Sequence, residues 1–485
     1  MKAVLLIDFG STYTKLTAVD VESETLLGTA SSYTTVQTDI NEGLQKGLAA
    51  LEEKIGKLNY HQCFACSSAA GGLRMVTSGL VPELTGEAAK LASLGAGAKV
   101  VGVYAFQLTE DDLQEIVDSK PDIFLLVGGT DGGNTECIVH NAKMLATAKP
   151  EFPIVIAGNR TAARECQRIL QGCNVSVCPN VMPKFGVLNI EPTQQKIREI
   201  FLNRIIQAKG LSKVTTLLSD IMMPTPSAVL RAMELLAKGC EGESGIGELV
   251  AADVGGATTD VYSIADGMPE HMNTVYKGLP EPYAKRTVEG DIGMRYSIQG
   301  IVDAAGIQRV SHVSGLSPER IEQLVEDLKI HTDKVPNGED ELEALDFALA
   351  SLAVEEAVSR HAGTIEETYT MMGQTFVQEG KNLTKVRQIV VTGGSLIHNP
   401  RVEKIAEHAL YSPRNPASLR PKQAAVWVDK TYIIAAMGLL STRYPQTALR
   451  IMKKEFAYYG DTEQTAPGGR ISETAAGSAE PVANR

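Results

Sequence analysis

Two carboxylates stand at the ends of apolar runs, each two residues ahead of a glycine. Asp8 closes the run Ala3-Val4-Leu5-Leu6-Ile7 and leads into Phe9-Gly10-Ser11-Thr12-Tyr13-Thr14-Lys15. Asp253 closes Leu249-Val250-Ala251-Ala252 and leads into Val254-Gly255-Gly256-Ala257-Thr258-Thr259-Asp260. A carboxylate at the end of a buried strand is costly unless a cation or several donors meet it, so each aspartate calls for a partner. Hydrated Mg2+ fits, because magnesium keeps several waters and takes few protein carboxylates, and two aspartates across a cleft can hold its hydration shell. The adjoining glycines and hydroxyl residues let backbone N–H groups and side-chain oxygens come close to a phosphate. The pattern predicts a phosphate clamp made from two turns. A third glycine turn, Thr392-Gly393-Gly394-Ser395, follows the apolar stretch 388–391. Each turn alone also reads as an ordinary hairpin or loop; the combination and its order carry the prediction. Lys15 has two readings, a neutraliser of phosphate charge and a solvent-facing strand lysine.

The elements that must position these turns can be read from periodicity. Strands are predicted over 3–9, 14–20 and 25–32, an opening antiparallel meander, followed by a helix near 42–57. Apolar strand-like runs at 99–105, 123–127, 154–157 and 175–178 alternate with helical stretches 110–118, 136–147 and 160–170, which predicts a parallel α/β layer. A Gly/Glu/Ser linker at 241–247 ends a helix over 227–238. Strands at 249–253 and 261–264 then repeat the strand-turn-strand logic of the N-terminus, so a duplicated domain is expected. Residues 317–379 read as mostly amphipathic helix with an acidic break at 336–340.

Bulk properties bound the function. A chain of 485 residues, 44% of them hydrophobic, is expected to form two or more domains. The formal charge of −12 argues against nucleic acid as the main partner. The apolar run before Asp8 is too short for a secretion signal or membrane span, so a cytoplasmic protein without membrane attachment is expected. The seven cysteines have no regular framework, and Cys63-x-x-Cys66 lacks a matching second pair, so buried thiols are expected rather than zinc or disulfides. The single-loop phosphate motif Gly-x-x-x-x-Gly-Lys-Ser/Thr is absent, as are His-Glu-x-x-His and the Asp-x-His-x-x-Gly sequence that delivers histidine to cobalamin. Asp8-Phe9-Gly10 mimics the protein-kinase triplet but has no glycine-rich or catalytic loop ahead of it.

In order, the three turns resemble the phosphate-1, phosphate-2 and adenosine motifs of the superfamily that holds actin, the seventy-kilodalton heat-shock chaperones and sugar kinases. The resemblance implies an α/β fold of two actin-like, ribonuclease-H-like lobes closing over ATP and Mg2+, with the parallel layer added in the first half. With the periodicity and composition read above, these divisions are expected: 1–60, the first part of lobe I; 61–240, a nested α/β domain and return helices; 241–460, lobe II; and 461–485, a disordered tail by its poverty in large apolar residues. Carried over by position, Gly10, Ser11 and Thr12 would contact the β- and γ-phosphates, and Gly255, Gly256 and Thr258 the γ-phosphate. Gly393, Gly394 and Ser395 would border adenosine. Asp8 and Asp253 would be the catalytic pair, organising magnesium through water and polarising the attacking water. One departure is visible: where the chaperones place a basic residue stacking on adenine, this chain reads Leu396-Ile397-His398-Asn399-Pro400.

Further blocks are similar to the MutL family associated with adenosylcobalamin-dependent glutamate mutase and related aminomutases. They are Ser67-Ser68-Ala69-Ala70-Gly71-Gly72-Leu73-Arg74-Met75, Leu126-Val127-Gly128-Gly129-Thr130-Asp131-Gly132-Gly133-Asn134 and Glu289-Gly290-Asp291-Ile292-Gly293-Met294-Arg295, besides the two phosphate turns. That resemblance implies an ATP-dependent reactivase or chaperone for such a mutase, with slow Mg-dependent ATP hydrolysis and the mutase subunits as partners. A small-molecule kinase of the same architecture, with Asp131, Asp260 or Asp291 as catalytic aspartate, and an ATP-dependent filament protein stay open as alternatives. The loop at 128–134 reads either as an anion site at a helix N-terminus or as plain tight-turn geometry. Asp291 and Arg295 read either as cleft lining or as a surface ion pair.

Overall fold

The computed structural model describes residues 1–10, 13–34, 40–68, 73–208, 222–338, 340–371 and 373–460. The expected tail at 461–485 lies outside them. The chain opens with β1 (Ala3–Phe9), β2 (Tyr13–Asp20), β3 (Thr25–Tyr33) and β4 (Gln62–Ser67). It then builds β5 (Leu73–Gly79), β6 (Ala98–Ala105), β7 (Ile123–Leu126), β8 (Ile154–Ile156) and β9 (Val175–Val177), and returns to the first sheet with β10 (Met222–Pro224). A short hairpin, β11 (Gly239–Cys240) and β12 (Glu243–Ser244), precedes β13 (Leu249–Val254), β14 (Thr259–Ile264), β15 (Thr274–Lys277) and β16 (Ala284–Glu289). The remaining strands are β17 (Thr364–Thr370), β18 (Gly373–Glu379), β19 (Gln388–Thr392), β20 (Ala425–Val428) and β21 (Ala457–Tyr459).

The first sheet runs β10-β4-β1-β2-β3 and the second β16-β14-β13-β19-β20-β21. In each, three antiparallel strands continue into two parallel ones: β1 pairs β2 antiparallel and β4 parallel, and β13 pairs β14 antiparallel and β19 parallel. This is the ribonuclease-H-like order twice over, so the fold is the expected two-lobed actin-like one. Between β4 and β10 sits the added parallel layer, ordered β6-β5-β7-β8-β9. Its strands β7 and β8 are continuous buried apolar runs, as helices on both faces demand.

Two expectations need correction. The parallel layer has a fifth strand, β5, whose Arg74, Thr77 and Ser78 break the apolar run by which its neighbours are recognised. The stretch 317–379 is helical only over Pro318–Ile330 and Asp340–His361, then turns into the β17–β18 hairpin. Gly363 and Gly380 punctuate that hairpin, and Thr364, Ile365, Thr368, Tyr369, Phe376 and Val377 supply the β-branched and aromatic content that favours a pleated surface.

Alternation along the strands decides where the chemistry lies. Val4 and Leu6 of β1 enter the same core as Leu249 and Ala251 of β13, Tyr262 of β14, Val390 of β19 and Trp427 of β20. That core lies between the sheets and is filled by the helices Thr225–Lys238, Ile434–Leu440 and Pro445–Glu455. The first two helices cross so tightly that a Cβ at Gly438 would meet the Ala228 carbonyl oxygen at 1.9 Å. Because the side-chain period is two, Asp8, Asp253, Asp260 and Thr392 each continue a series that faces this shared core.

Candidate functional site

The two glycine turns share one closing hydrogen bond. Gly10 N–H donates to the Tyr13 carbonyl at 3.1 Å, and Gly255 N–H donates to the Thr258 carbonyl at 2.9 Å. In register, Asp8 lies opposite Lys15 and beside Cys66, while Asp253 lies opposite Asp260 and beside Thr392. A Cβ at Gly10 would meet the Tyr13 carbonyl oxygen at 2.5 Å, so the first turn closes only around glycine. Ser11 and Thr12 lie outside the described residues. In the second turn Gly256 is exposed, and Gly255 and Thr258 are half-buried.

Asp8 is buried and accepts hydrogen bonds from Thr225 Oγ1 at 2.6 Å and, more weakly, from Cys66 Sγ at 3.4 Å. Thr225 opens the crossing helix Thr225–Lys238, so the first carboxylate is tied directly to the connection between lobes. Among the described residues Asp253 has no such donors. Its carboxyl is pushed up to about 7, first by burial and next by Asp260, with Asp429 and Asp8 adding to the effect and Lys15 opposing it. Asp429 follows β20 and caps Ile434–Leu440, accepting from Ile433 N–H at 2.9 Å and Ile434 N–H at 3.1 Å. Burial nonetheless lifts it to about 6.

Lys15 is neither free nor solvent-facing. Its Nζ sits 3.3 Å from the centroid of the Tyr432 ring, a cation–π contact that joins a first-lobe strand to the loop capping a second-lobe helix. Tyr432 has a left-handed backbone (φ +58°), unusual for an aromatic residue. Its hydroxyl is held far above its ordinary range by burial and then by Asp253, Asp8, Asp429 and Asp260. The structure therefore gathers Asp8, Lys15, Asp253, Asp260, Asp429 and Tyr432 at one end of the shared core.

The third turn abuts the second. Gly393 takes φ +109°, and a Cβ there would meet the Val254 carbonyl oxygen at 2.3 Å, so only glycine fits against the end of β13. Gly394 is exposed and Ser395 half-buried. Arg401, beyond the stretch that lacks the expected adenine-stacking base, lies 3.7 Å over the Phe347 ring.

The block 289–295 has a role that neither of its two readings covers. Met294 N–H donates to the Gly255 carbonyl (3.0 Å), and Arg295 and Tyr296 N–H both donate to the Gly256 carbonyl (2.9 and 2.8 Å). Arg295 is itself buried, paired through both Nη atoms with Asp346 at 3.0 and 2.9 Å and bonded to the Lys334 carbonyl. The block braces the second glycine turn from behind. Asp291 is the exposed partner of Arg360 at 3.3 Å.

The loop at 128–134 lies in the parallel layer and is satisfied by its own surroundings. Asn159 accepts from Gly132 N–H and donates to the Gly133 and Asn134 carbonyls, all at 3.1 Å. Asn180 donates to the Gly129 carbonyl (3.0 Å) and to Asp131 (3.1 Å), which also accepts from Arg160 N–H. Asn159 Oδ1 takes the Gly132 N–H that an anion would take, and the two amides donate to carbonyls that an anion could not satisfy, which favours the tight-turn reading. Cys63 and Cys66 are buried thiols; burial pushes Cys63 up to about 12, and burial, then the nearby Asp8, holds Cys66 well above its ordinary range. Among the described residues no three His, Cys, Asp or Glu side chains form a metal-ligand group, and no helix is long and apolar enough to cross a membrane.

Sequence reading missed Thr225, Asp429, Tyr432 and Arg286, the last paired with Asp260. Asp429 had a signal, since it ends the apolar run Ala425–Val428 as Asp8 and Asp253 end theirs. The others had none, because their roles come from contacts across the fold.

Comparison with known proteins adds the following. A family model described as MutL protein matches residues 4–456. The chain is 47% identical over 458 residues to protein MutL of Clostridium tetanomorphum, spanning 94% of this chain and 99% of that relative. Among solved structures, component A of (R)-2-hydroxyglutaryl-CoA dehydratase from Acidaminococcus fermentans aligns over 92% of this chain and 100% of its own, at 10% identity and a TM-score of 0.32. Glycerol kinase with ADP from Plasmodium falciparum aligns over 94% of both chains, at 10% identity and a TM-score of 0.34. At such scores these superpositions add nothing to the fold already read from the two sheets.

Proposed function

The chain belongs to the glutamate-mutase-associated MutL family, and from that premise we propose that it is an ATP-binding accessory protein of the cytoplasm. It acts as an ATP-dependent reactivase or chaperone of an adenosylcobalamin-dependent mutase such as glutamate mutase or an aminomutase. One observation carries the ATP reading: two carboxylates in the same register of two like hairpins face one core, with glycine turns opening beside each.

The residues present fit magnesium held through water. Among the described residues Asp253 lacks hydrogen-bond donors of the kind Asp8 has, and its affinity for a proton, raised first by burial and next by Asp260, marks a carboxylate whose ionised form a divalent cation would relieve. When bound, the ion would neutralise phosphate charge and order the attacking water. The Gly10 and Gly255–Gly256 turns cradle phosphates by their backbone, together with Ser11, Thr12 and Thr258. Lys15, drawn over Tyr432, supplies a cation on the first-lobe side. Gly393, Gly394 and Ser395 border the nucleoside. Asp8, fixed by Thr225, and Asp253 position the water for slow hydrolysis. Since Thr225 begins a helix that crosses between the lobes, occupancy of the turns and lobe closure are linked. A mutase that binds the two closure states unequally would then be worked upon by the nucleotide cycle.

The test is restoration of inactivated glutamate mutase by the wild type, Asp8→Ala and Asp253→Ala, with ATP hydrolysis followed in parallel and capture of the mutase subunits measured with and without MgATP. Rescue by the wild type alone and nucleotide-dependent capture are expected. Equal rescue by all three would sink the mechanism, and phosphorylation of a sugar or small acid would replace it with a kinase.

A further inference from the structure

The segment joining the helix Glu87–Gly95 to β6 is gripped from three sides. The Gly95 carbonyl accepts from Arg198 Nη2 at 2.8 Å and the Ala96 carbonyl from Ser227 Oγ at 3.1 Å. The carbonyls of Leu94 and Ala98 both accept from Nη1 of Arg286, at 3.2 and 2.9 Å. Gly97 takes φ +94° and lets the segment close onto the crossing helix, where a Cβ would come within 3.0 Å of Pro224 and 3.1 Å of Ser227 Oγ. Helix ends leave their last carbonyls without intrahelical partners. Here side chains distant in sequence take up that need.

Arg286 belongs to β16 in the second sheet, is 5% exposed, and spends the other edge of its guanidinium on Asp260, with Nε at 2.7 Å and Nη2 at 2.5 Å. Asp260 is the direct cross-strand neighbour of Asp253. One planar fork thus holds a carboxylate of the phosphate cluster by one edge and two carbonyls of the inserted layer by the other. Its five donors are fixed relative to one another, so a change in how tightly it is drawn to Asp260 alters its grip on the carbonyls.

We propose that Arg286 is a positioning residue that transmits the charge state of the phosphate site to the inserted parallel layer, making that layer the part of the molecule that moves with nucleotide. This rests on the ATP reading above. A cation and phosphates arriving beside Asp253 change the field on Asp260, which passes the change to Arg286, its ion-pair partner among the described residues. The layer so coupled carries the loop at 128–134, which Asn159 and Asn180 tie to neighbouring segments of the same layer, so the layer moves as a unit from its docked segment.

The experiment is amide hydrogen exchange over residues 87–105, with and without MgATP, in the wild type, Arg286→Lys, Asp260→Asn and Ser227→Ala. Lysine keeps the charge opposite Asp260 but cannot also reach both carbonyls. The expected result is an exchange change of at least about threefold on nucleotide binding in the wild type, absent in Arg286→Lys although that variant binds nucleotide within about threefold of wild type. Asp260→Asn cuts the same link at its other end and is expected to lose the change too, which keeps the test decisive if the lysine variant does not fold. Ser227→Ala also loosens the segment but lies off the link, so its baseline exchange rises while the nucleotide-dependent change persists. Retention of the full change in Arg286→Lys, or its loss in Ser227→Ala, would overturn the proposal. Nucleotide binding by the wild type with no change at 87–105 overturns the coupling alone; absence of nucleotide binding overturns the ATP reading and the coupling with it.

Discussion

Replacing Asp253 by Asn separates the energetic cost of the site from its use. In the folded chain the Asp253 carboxyl is raised from 3.8 to about 7, with burial the largest cause and Asp260 the next. In the unfolded chain it titrates near 3.8, so ionising it in the folded state opposes folding. The contribution to stability is greatest at low pH and is lost as pH rises from the unfolded value through the folded one. Between pH 5 and pH 8 the unfolded carboxylate is ionised throughout, whereas the folded one goes from protonated to ionised. That difference is about 2 pH units, or about 3 kcal/mol at ~1.4 kcal/mol per unit. Asn does not titrate and is close in shape. Urea denaturation at the two pH values, with chelator and without nucleotide, is expected to show the wild type losing about 3 kcal/mol more than Asp253→Asn between pH 5 and 8. With MgATP at pH 8 the order should reverse, since only the wild type gains stability from the ligand. Parallel pH profiles for the two proteins would refute the reasoning, because they would mean Asp253 is solvated or already compensated.

Two further outcomes follow from the bracing and the helix crossing. Arg295→Met strands the buried Asp346 and withdraws support from the second phosphate turn, so a loss of about 3–5 kcal/mol is expected in denaturant titrations. Adding Asp346→Leu should recover part of that loss, and no recovery would mean the pair is not the source. Gly438→Val places atoms where the Ala228 carbonyl oxygen stands, so the crossing helices must separate. A fall in thermal midpoint with raised protease sensitivity near the crossing is expected, and an unchanged protein would show that the crossing has slack.

How much of this was legible depends on the range of the interaction that fixes each part. Asp8 and Asp253 announce themselves locally, by an apolar run that ends in a carboxylate with glycine two residues on. The duplication is visible for the same reason, since both hairpins repeat one spacing. What escaped was held by distance along the chain. Thr225 meets Asp8 across 217 residues, and Arg286 meets the Ala98 carbonyl across 188. Periodicity cannot show such pairings. Strand β5 and the β17–β18 hairpin escaped for another reason. The first breaks its apolar run with polar residues, and the second is a largely exposed sheet, where burial leaves little alternation to read.

The twin turns, one on each lobe, carry a consequence for affinity. Neither lobe owns a complete site, so on the proposed reading ATP behaves as a bivalent ligand whose second attachment is governed by the effective concentration of one turn at the other. The crossing of the Thr225–Lys238 and Ile434–Leu440 helices sets that concentration. Whatever spreads or tightens the lobes rescales nucleotide affinity without touching a single phosphate contact. By the reciprocity of linked binding, the factor by which a partner changes nucleotide affinity is the factor by which nucleotide changes the grip on that partner.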